Sequence, residues 1–154
     1  LSSAASDVYK RQMYARGALL RVTRGTTRAH LCRAVLESIA LESADLVEAM
    51  KRESGVAIPE LRADGGASRS RFLMQYQADI LNTRVCRPQC LETTALGSAM
   101  MAGLTVGVWE DLEELSSLWR ESAAFTPDYP QEKREVDLAR WHEGVRRSMG
   151  WARQ

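Results

Sequence analysis

The stretch from Arg62 to Gln75 constrains the fold of this chain more than any other. It runs Arg62-Ala63-Asp64-Gly65-Gly66-Ala67-Ser68-Arg69-Ser70-Arg71-Phe72-Leu73-Met74-Gln75. Apolar and extended residues lead into a glycine pair, and an amphipathic helix follows. A strand, a tight turn and a helix in that order form the building unit of an α/β fold. The turn leaves bare backbone beside a helix start. Glycines without a Cβ let a flat base or ribose lie against the main chain, and free N–H groups at a helix start favour polar or anionic partners. A glycine pair alone is an ordinary turn, so the rest of the chain has to decide between the two readings.

Elsewhere the pattern alternates helix and strand. Thr26 or Thr27 can cap a helix in which Leu31, Val35, Ile39, Leu46 and Met50 mark an apolar stripe, with Gly55 as its stop. That helix has about 26 residues and is about 39 Å long. Leu61–Ala63 is read as the strand before the glycines, and Ser68 as the cap of the helix after them. Arg84–Arg87 is a strand stopped by Pro88. Glu92–Val106 is a helix rich in small residues, expected to pack tightly in the core. Asp111–Trp119 is a short amphipathic helix, Phe125–Pro130 a proline-bounded loop, and Glu132–Met149 a last helix with Leu138, Trp141, Val145 and Met149 on one face. The four tryptophans read as core or interface packing.

Composition narrows the function classes. The chain has 154 residues, enough for one domain, with 21 Lys and Arg against 20 Asp and Glu and a net charge of +1. That balance argues against a nucleic-acid or anionic-membrane partner. The longest apolar run is too short and glycine-rich to span a bilayer, and no secretory pattern is visible. Cys32, Cys86 and Cys90 are sparse, with no nearby histidine to complete a zinc site, so no metal ligand is assigned and the thiols read as reduced, as in a cytoplasmic protein. Residues 1–12 show no apolar period and read as a foreign or unstructured leader. On that reading residues 13–154 form the tail of a longer enzyme.

Four blocks together resemble the carboxyl-terminal domain of the FGGY carbohydrate kinases, and the glycerol kinases among them. The first is Ala15-Arg16-Gly17-Ala18-Leu19-Leu20-Arg21-Val22-Thr23-Arg24-Gly25-Thr26-Thr27-Arg28-Ala29-His30-Leu31. The second is Arg33-Ala34-Val35-Leu36-Glu37-Ser38-Ile39-Ala40. The third is the Asp64–Ala67 turn with Phe72-Leu73-Met74-Gln75-Tyr76-Gln77-Ala78-Asp79-Ile80-Leu81. The fourth is Arg87-Pro88 with Glu92-Thr93-Thr94-Ala95-Leu96-Gly97. The blocks run in one order from about Met13 to Trp151.

The resemblance implies an actin-like, ribonuclease-H-like ATPase domain, the carboxyl-terminal half of a two-domain sugar kinase. It implies transfer of the ATP γ-phosphoryl group to glycerol by the intact enzyme, with ATP and Mg²⁺ as cofactors. Gly65, Gly66, Ala67 and Ser70 are the residues it assigns to the nucleotide. Ser70 stands where many glycerol kinases carry an asparagine, and Arg21 where the family usually has glycine. The catalytic aspartate, the glycerol pocket and the Mg²⁺ ligands are expected upstream, so no catalytic residue is assigned here. Asp64 reads as a turn acceptor, His30 and His142 as surface or interface residues, and Arg33 with Glu37 as a helical ion pair. The competing readings are another FGGY polyol or sugar kinase and a non-catalytic nucleotide-binding module. Whether the chain forms a homo-oligomer stays open.

Overall fold

The computed structural model describes residues 17–149. Residues 1–12, the start of the first block and Trp151 lie outside the described residues.

Helix α1 (Arg28–Ser54, 27 residues) has the expected length. Thr27 is its cap: the Thr27 hydroxyl accepts from the His30 backbone, and the Thr27 backbone donates to His30 Nδ1 at 3.1 Å. His30 thereby closes a capping box, with imidazole in the place of the usual Glu or Gln. Gly55 ends the helix at φ 67° and donates to Lys51 O, while Lys51 and Arg52 complement the negative end of the dipole. The buried face differs from the expected stripe. Ala40, Leu41, Ala44 and Val47 are buried, whereas Leu31, Ile39, Leu46 and Met50 are 37–50% exposed. Small alanines let α1 approach its neighbour closely, and the larger apolar residues point elsewhere.

Strand β1 (Glu60–Arg62) leads to a 3₁₀ turn (Gly66–Arg69), helix α2 (Arg71–Leu81) and strand β2 (Arg84–Pro88). β1 and β2 pair in parallel, with Leu61 opposite Val85. This β1–α2–β2 crossover confirms the α/β reading. Ser70, not Ser68, caps α2, its Oγ accepting from Leu73 N at 3.3 Å. The intervening 3₁₀ turn moves the cap two residues along. α2 is the centre of the domain: Leu73, Met74, Tyr76, Gln77, Ala78, Asp79, Ile80 and Leu81 are all buried. It lies on the sheet and is covered on its other side by α1, so both of its faces enter the core.

Helices α3 (Thr93–Thr105) and α4 (Leu112–Ser117) follow. Asp111 caps α4 through Glu114 N at 2.8 Å. Strand β3 (Glu121–Phe125) then pairs antiparallel to β2, with Val85 opposite Phe125, giving the sheet order β1-β2-β3. Sequence reasoning missed β3, since Glu121-Ser-Ala-Ala carries little strand propensity. The ladder to β2 holds it extended. Pro88 is the last residue of β2, and a register shift sits between Arg87 and Pro88, where the missing N–H interrupts the ladder. α3 also differs from expectation: only Gly103 is buried, and Leu96 and Met101 are exposed. Trp109 covers Gly103 so closely that a Cβ there would lie 2.2 Å from the indole ring.

Helix α5 (Gln131–Ser148) packs on α1 and α2 through Leu138 and Trp141. Polar bonds fix it. Trp141 Nε1 donates to Asp45 at 2.8 Å, Arg134 Nε to Ile80 O at 2.7 Å and Tyr76 Oη to Asp137 at 3.4 Å. Burial pushes the Tyr76 phenol above its ordinary pKa, and the Asp137 carboxylate adds to the shift. The buried Asp79 Oδ1 accepts from Gln75 and from Asp128 N, tying α2 to the loop before α5. Among the described residues, no helix is long and apolar enough to cross a membrane.

Candidate functional site

The glycine turn joins the end of β1 to the start of α2. Gly65 sits at φ 78°, ψ 178°, a region that only glycine occupies without strain. Its N–H donates to Leu91 O at 3.0 Å, and its carbonyl accepts from both Ser68 N and Ser68 Oγ, the latter at 2.7 Å. The Ser68 side chain is therefore buried inside the turn. Ser70 N donates to Ala67 O to complete it. These bonds run to backbone carbonyls rather than to Asp64, which is exposed.

Gly66 differs from its neighbour. Its φ lies outside the left-handed region, it is exposed, and a Cβ built on it meets nothing within 4 Å. Nothing in the chain's own backbone geometry requires glycine at this position. Ala67 is exposed beside it, and Ser70 is half-buried at the α2 N-terminus. The Ser70 hydroxyl uses a lone pair for the cap, which leaves its hydrogen free to donate. The four residues thus form one open ledge. The ledge combines an exposed face at Gly66, a hydroxyl donor at Ser70 and a helix start.

Arg87 on β2 fixes this ledge from below. Its Nη1 donates to Ser68 O at 3.1 Å and its Nε to Ser122 Oγ on β3 at 3.2 Å. The Ser122 hydroxyl is shared between Arg87 O and Pro88 O. Arg87 stands in the fourth resemblance block, but its bridging contacts depend on β3, whose residues carry no strand signal of their own.

Strand pairing assembles a second cluster that was also not foreseen. Glu60, Cys86 and Glu121, one from each strand, bring ligand-type atoms within 4.8 Å of one another. Arg84 occupies the middle. It pairs with Glu60, donates to Glu121 at 2.7 Å and donates to Cys86 Sγ at 2.6 Å. Its guanidinium supplies the positive charge that a cation would bring, so the cluster is an ion-paired stitch across the sheet. Burial, followed by the Glu121 and Glu60 carboxylates, pushes the Cys86 thiol up to about 12. Hydrogen bonds, first from Cys86 and next from Arg62, hold the Glu60 carboxyl below its usual range.

The remaining candidates are structural. Arg33 and Glu37 form the expected ion pair at 2.6 Å. His142 Nε2 meets Asp45 at 2.9 Å, bridging α5 to α1, and His30 belongs to the α1 cap.

Comparison with known proteins places this geometry in context. Residues 9–106 match the model of the FGGY family of carbohydrate kinases, C-terminal domain. The chain is 53% identical over 139 residues to the glycerol kinase of Dechloromonas aromatica, covering 90% of this chain and 28% of that protein. It is 51% identical over 140 residues to the glycerol kinase of Saccharolobus islandicus strain L.S.2.15, covering 91% and 28%. The chain therefore spans little more than a quarter of the length of these relatives. Among solved structures, the crystal structure of Plasmodium falciparum glycerol kinase with ADP superposes with a TM-score of 0.76 at 33% identity, over 87% of this chain and 27% of that one. A xylulose kinase from Rhodospirillum rubrum superposes with a TM-score of 0.67 at 30% identity, over 87% and 27%.

Proposed function

The chain belongs to the FGGY family of carbohydrate kinases, as part of its carboxyl-terminal domain, and on that premise we propose that it supplies part of the nucleotide pocket of a kinase that phosphorylates glycerol to glycerol 3-phosphate. The observation that carries this reading is Gly66. It is a glycine with neither a positive φ nor a neighbour to avoid, on an open ledge at a helix start. A ligand that lies flat against the main chain explains it. Identity of about 50% to glycerol kinases favours glycerol over other sugars and polyols.

In this reading Gly65 sets the turn, Gly66 and Ala67 floor the adenosine site, and Ser70 donates from the helix start. ATP supplies the phosphoryl group, and Mg²⁺ near the phosphates offsets charge that develops during transfer. The catalytic base, the Mg²⁺ ligands and the glycerol pocket belong to the remaining part of a relative-length polypeptide. The exposed apolar residues of α1 and α3, Leu31, Ile39, Leu46, Met50, Leu96 and Met101, support the same view, because they form faces that a larger protein would cover. The reading carries a cytoplasmic location, where exposed thiols such as Cys32 and Cys90 stay reduced.

The test is a chimera in which the matched region of this chain replaces its counterpart in the Dechloromonas aromatica enzyme. Coupled ADP-release assays with Mg-ATP are expected to show glycerol-dependent turnover by the chimera and none by the 154-residue chain alone. A chimera that neither binds nor turns over Mg-ATP would overturn the nucleotide-pocket reading. A chimera that binds ADP without turnover would support the non-catalytic reading.

A further inference from the structure

We propose that Arg87 is a positioning residue for the nucleotide, acting through the carbonyl of Ser68. The inference rests on the nucleotide-ledge reading above and extends it to a residue that touches no ligand. Ser68 is the fixed point of the turn: 1% exposed, with its N–H and hydroxyl both bound to Gly65 O. Its carbonyl is buried with it and takes a charged donor, Arg87 Nη1 at 3.1 Å. The same guanidinium reaches Ser122 Oγ through Nε at 3.2 Å, so one planar group spans the turn and strand β3. Ser122 in turn holds the backbone of Arg87 and Pro88, at the point where the register shift interrupts the β2–β3 ladder.

This arrangement fixes the height of the ledge above the sheet. Gly66 and Ala67 lie between Gly65 and Ser68, and both of those residues are anchored, Gly65 to Leu91 O and Ser68 to Arg87. Without Arg87 the Ser68 carbonyl loses its charged donor, and the exposed Gly66-Ala67 peptide keeps the turn's own bonds to Gly65 and Ser70 but loses the tie from Ser68 to the sheet. A lysine can reach one acceptor but cannot fork to two, so it replaces the guanidinium only in part. The expected consequence is a loss of nucleotide affinity that leaves the glycerol site alone.

The experiment uses the chimera defined above, with Mg-ATP and glycerol as substrates. Arg87→Gln is expected to raise the KM for ATP about tenfold, while the KM for glycerol moves less than about twofold. Ser122→Ala removes the strand-side contact and leaves the contact to Ser68. It is expected to lower the melting temperature while the KM for ATP stays within about twofold of the parent. If Arg87→Gln does not fold, Arg87→Lys carries the same test, with a rise of about threefold expected. An ATP KM unchanged in the Arg87 variant, or ATP and glycerol KM values rising together, would overturn the inference and leave Arg87 a sheet-bracing residue. A parent chimera without glycerol-dependent turnover would remove the kinase reading itself, and this inference with it.

Discussion

Substituting Gly65 and Gly66 separately divides the turn from the ligand contact, because the two glycines are needed for different reasons. Gly65 has φ 78° and ψ 178°, so an alanine there is strained whatever space surrounds it. Strain of that kind costs about 1–3 kcal/mol. In a domain of this size each kcal/mol lowers the melting temperature by about 2–4 °C, so Gly65→Ala is expected to lower it by at least about 2 °C. Gly66 has no such constraint, and its added Cβ meets no atom of the chain within 4 Å. Gly66→Ala should leave the melting temperature unchanged or raise it, since alanine restricts the unfolded chain by about 0.4–1 kcal/mol. Differential scanning fluorimetry reads this half of the prediction. The other half uses ATP titration of the chimera: Gly66→Val should weaken ATP binding while the melting temperature holds, because a branched side chain stands where the nucleoside lies. A fall in melting temperature for Gly66→Ala with ATP affinity unaltered would refute the contact and leave Gly66 as a turn residue.

Three other outcomes follow from the geometry. Arg21 is a non-glycine residue at φ 63°, so Arg21→Gly is expected to relieve about 1 kcal/mol of strain against about 0.4–1 kcal/mol for the freer unfolded chain, leaving the melting temperature unchanged or raised by less than about 2 °C. Gly103→Ala drives a Cβ into Trp109 and should destabilise by about 1–3 kcal/mol, read as lower thermal stability with altered tryptophan fluorescence. Cys86 is buried with its thiol pushed up to about 12, so a thiol reagent at pH 8 should label Cys32 and Cys90 but leave Cys86 until the protein unfolds. Because burial raises the Cys86 thiol above the ordinary thiol value of 9.0, its contribution to stability is complete below about pH 9 and is lost as pH rises toward 12.

The sequence showed the fold through its local signals. The α1 stop at Gly55, the strand–turn–helix at the glycine pair and the β2 strand before Pro88 all depend on short-range chemistry, and all appear in the structure. The misreadings came from long-range packing. Ala40 and Ala44 are buried on α1 because α2 comes close, and no periodicity rule prefers two alanines over Ile39 and Leu46. β3 is a strand because β2 lies beside it, so its own residues carried no signal. The missing strand also hid the two assemblies that depend on it: the Arg87 bridge to Ser122, and the Arg84 stitch that includes Glu121. At the site, the resemblance named Gly65, Gly66, Ala67 and Ser70. The structure added a division of labour between the glycines that spacing alone could not supply.

The proposed function stands on a nucleoside lying on the Gly65–Ser70 ledge. A crystal structure of the chimera with bound ADP tests it directly. Adenosine atoms are expected within about 4 Å of the Gly66 backbone, ordinary van der Waals contact, with Ser70 Oγ facing the same group and the Ser68 carbonyl still on Arg87. ADP bound elsewhere, with the Gly66 face open to solvent, would contradict it.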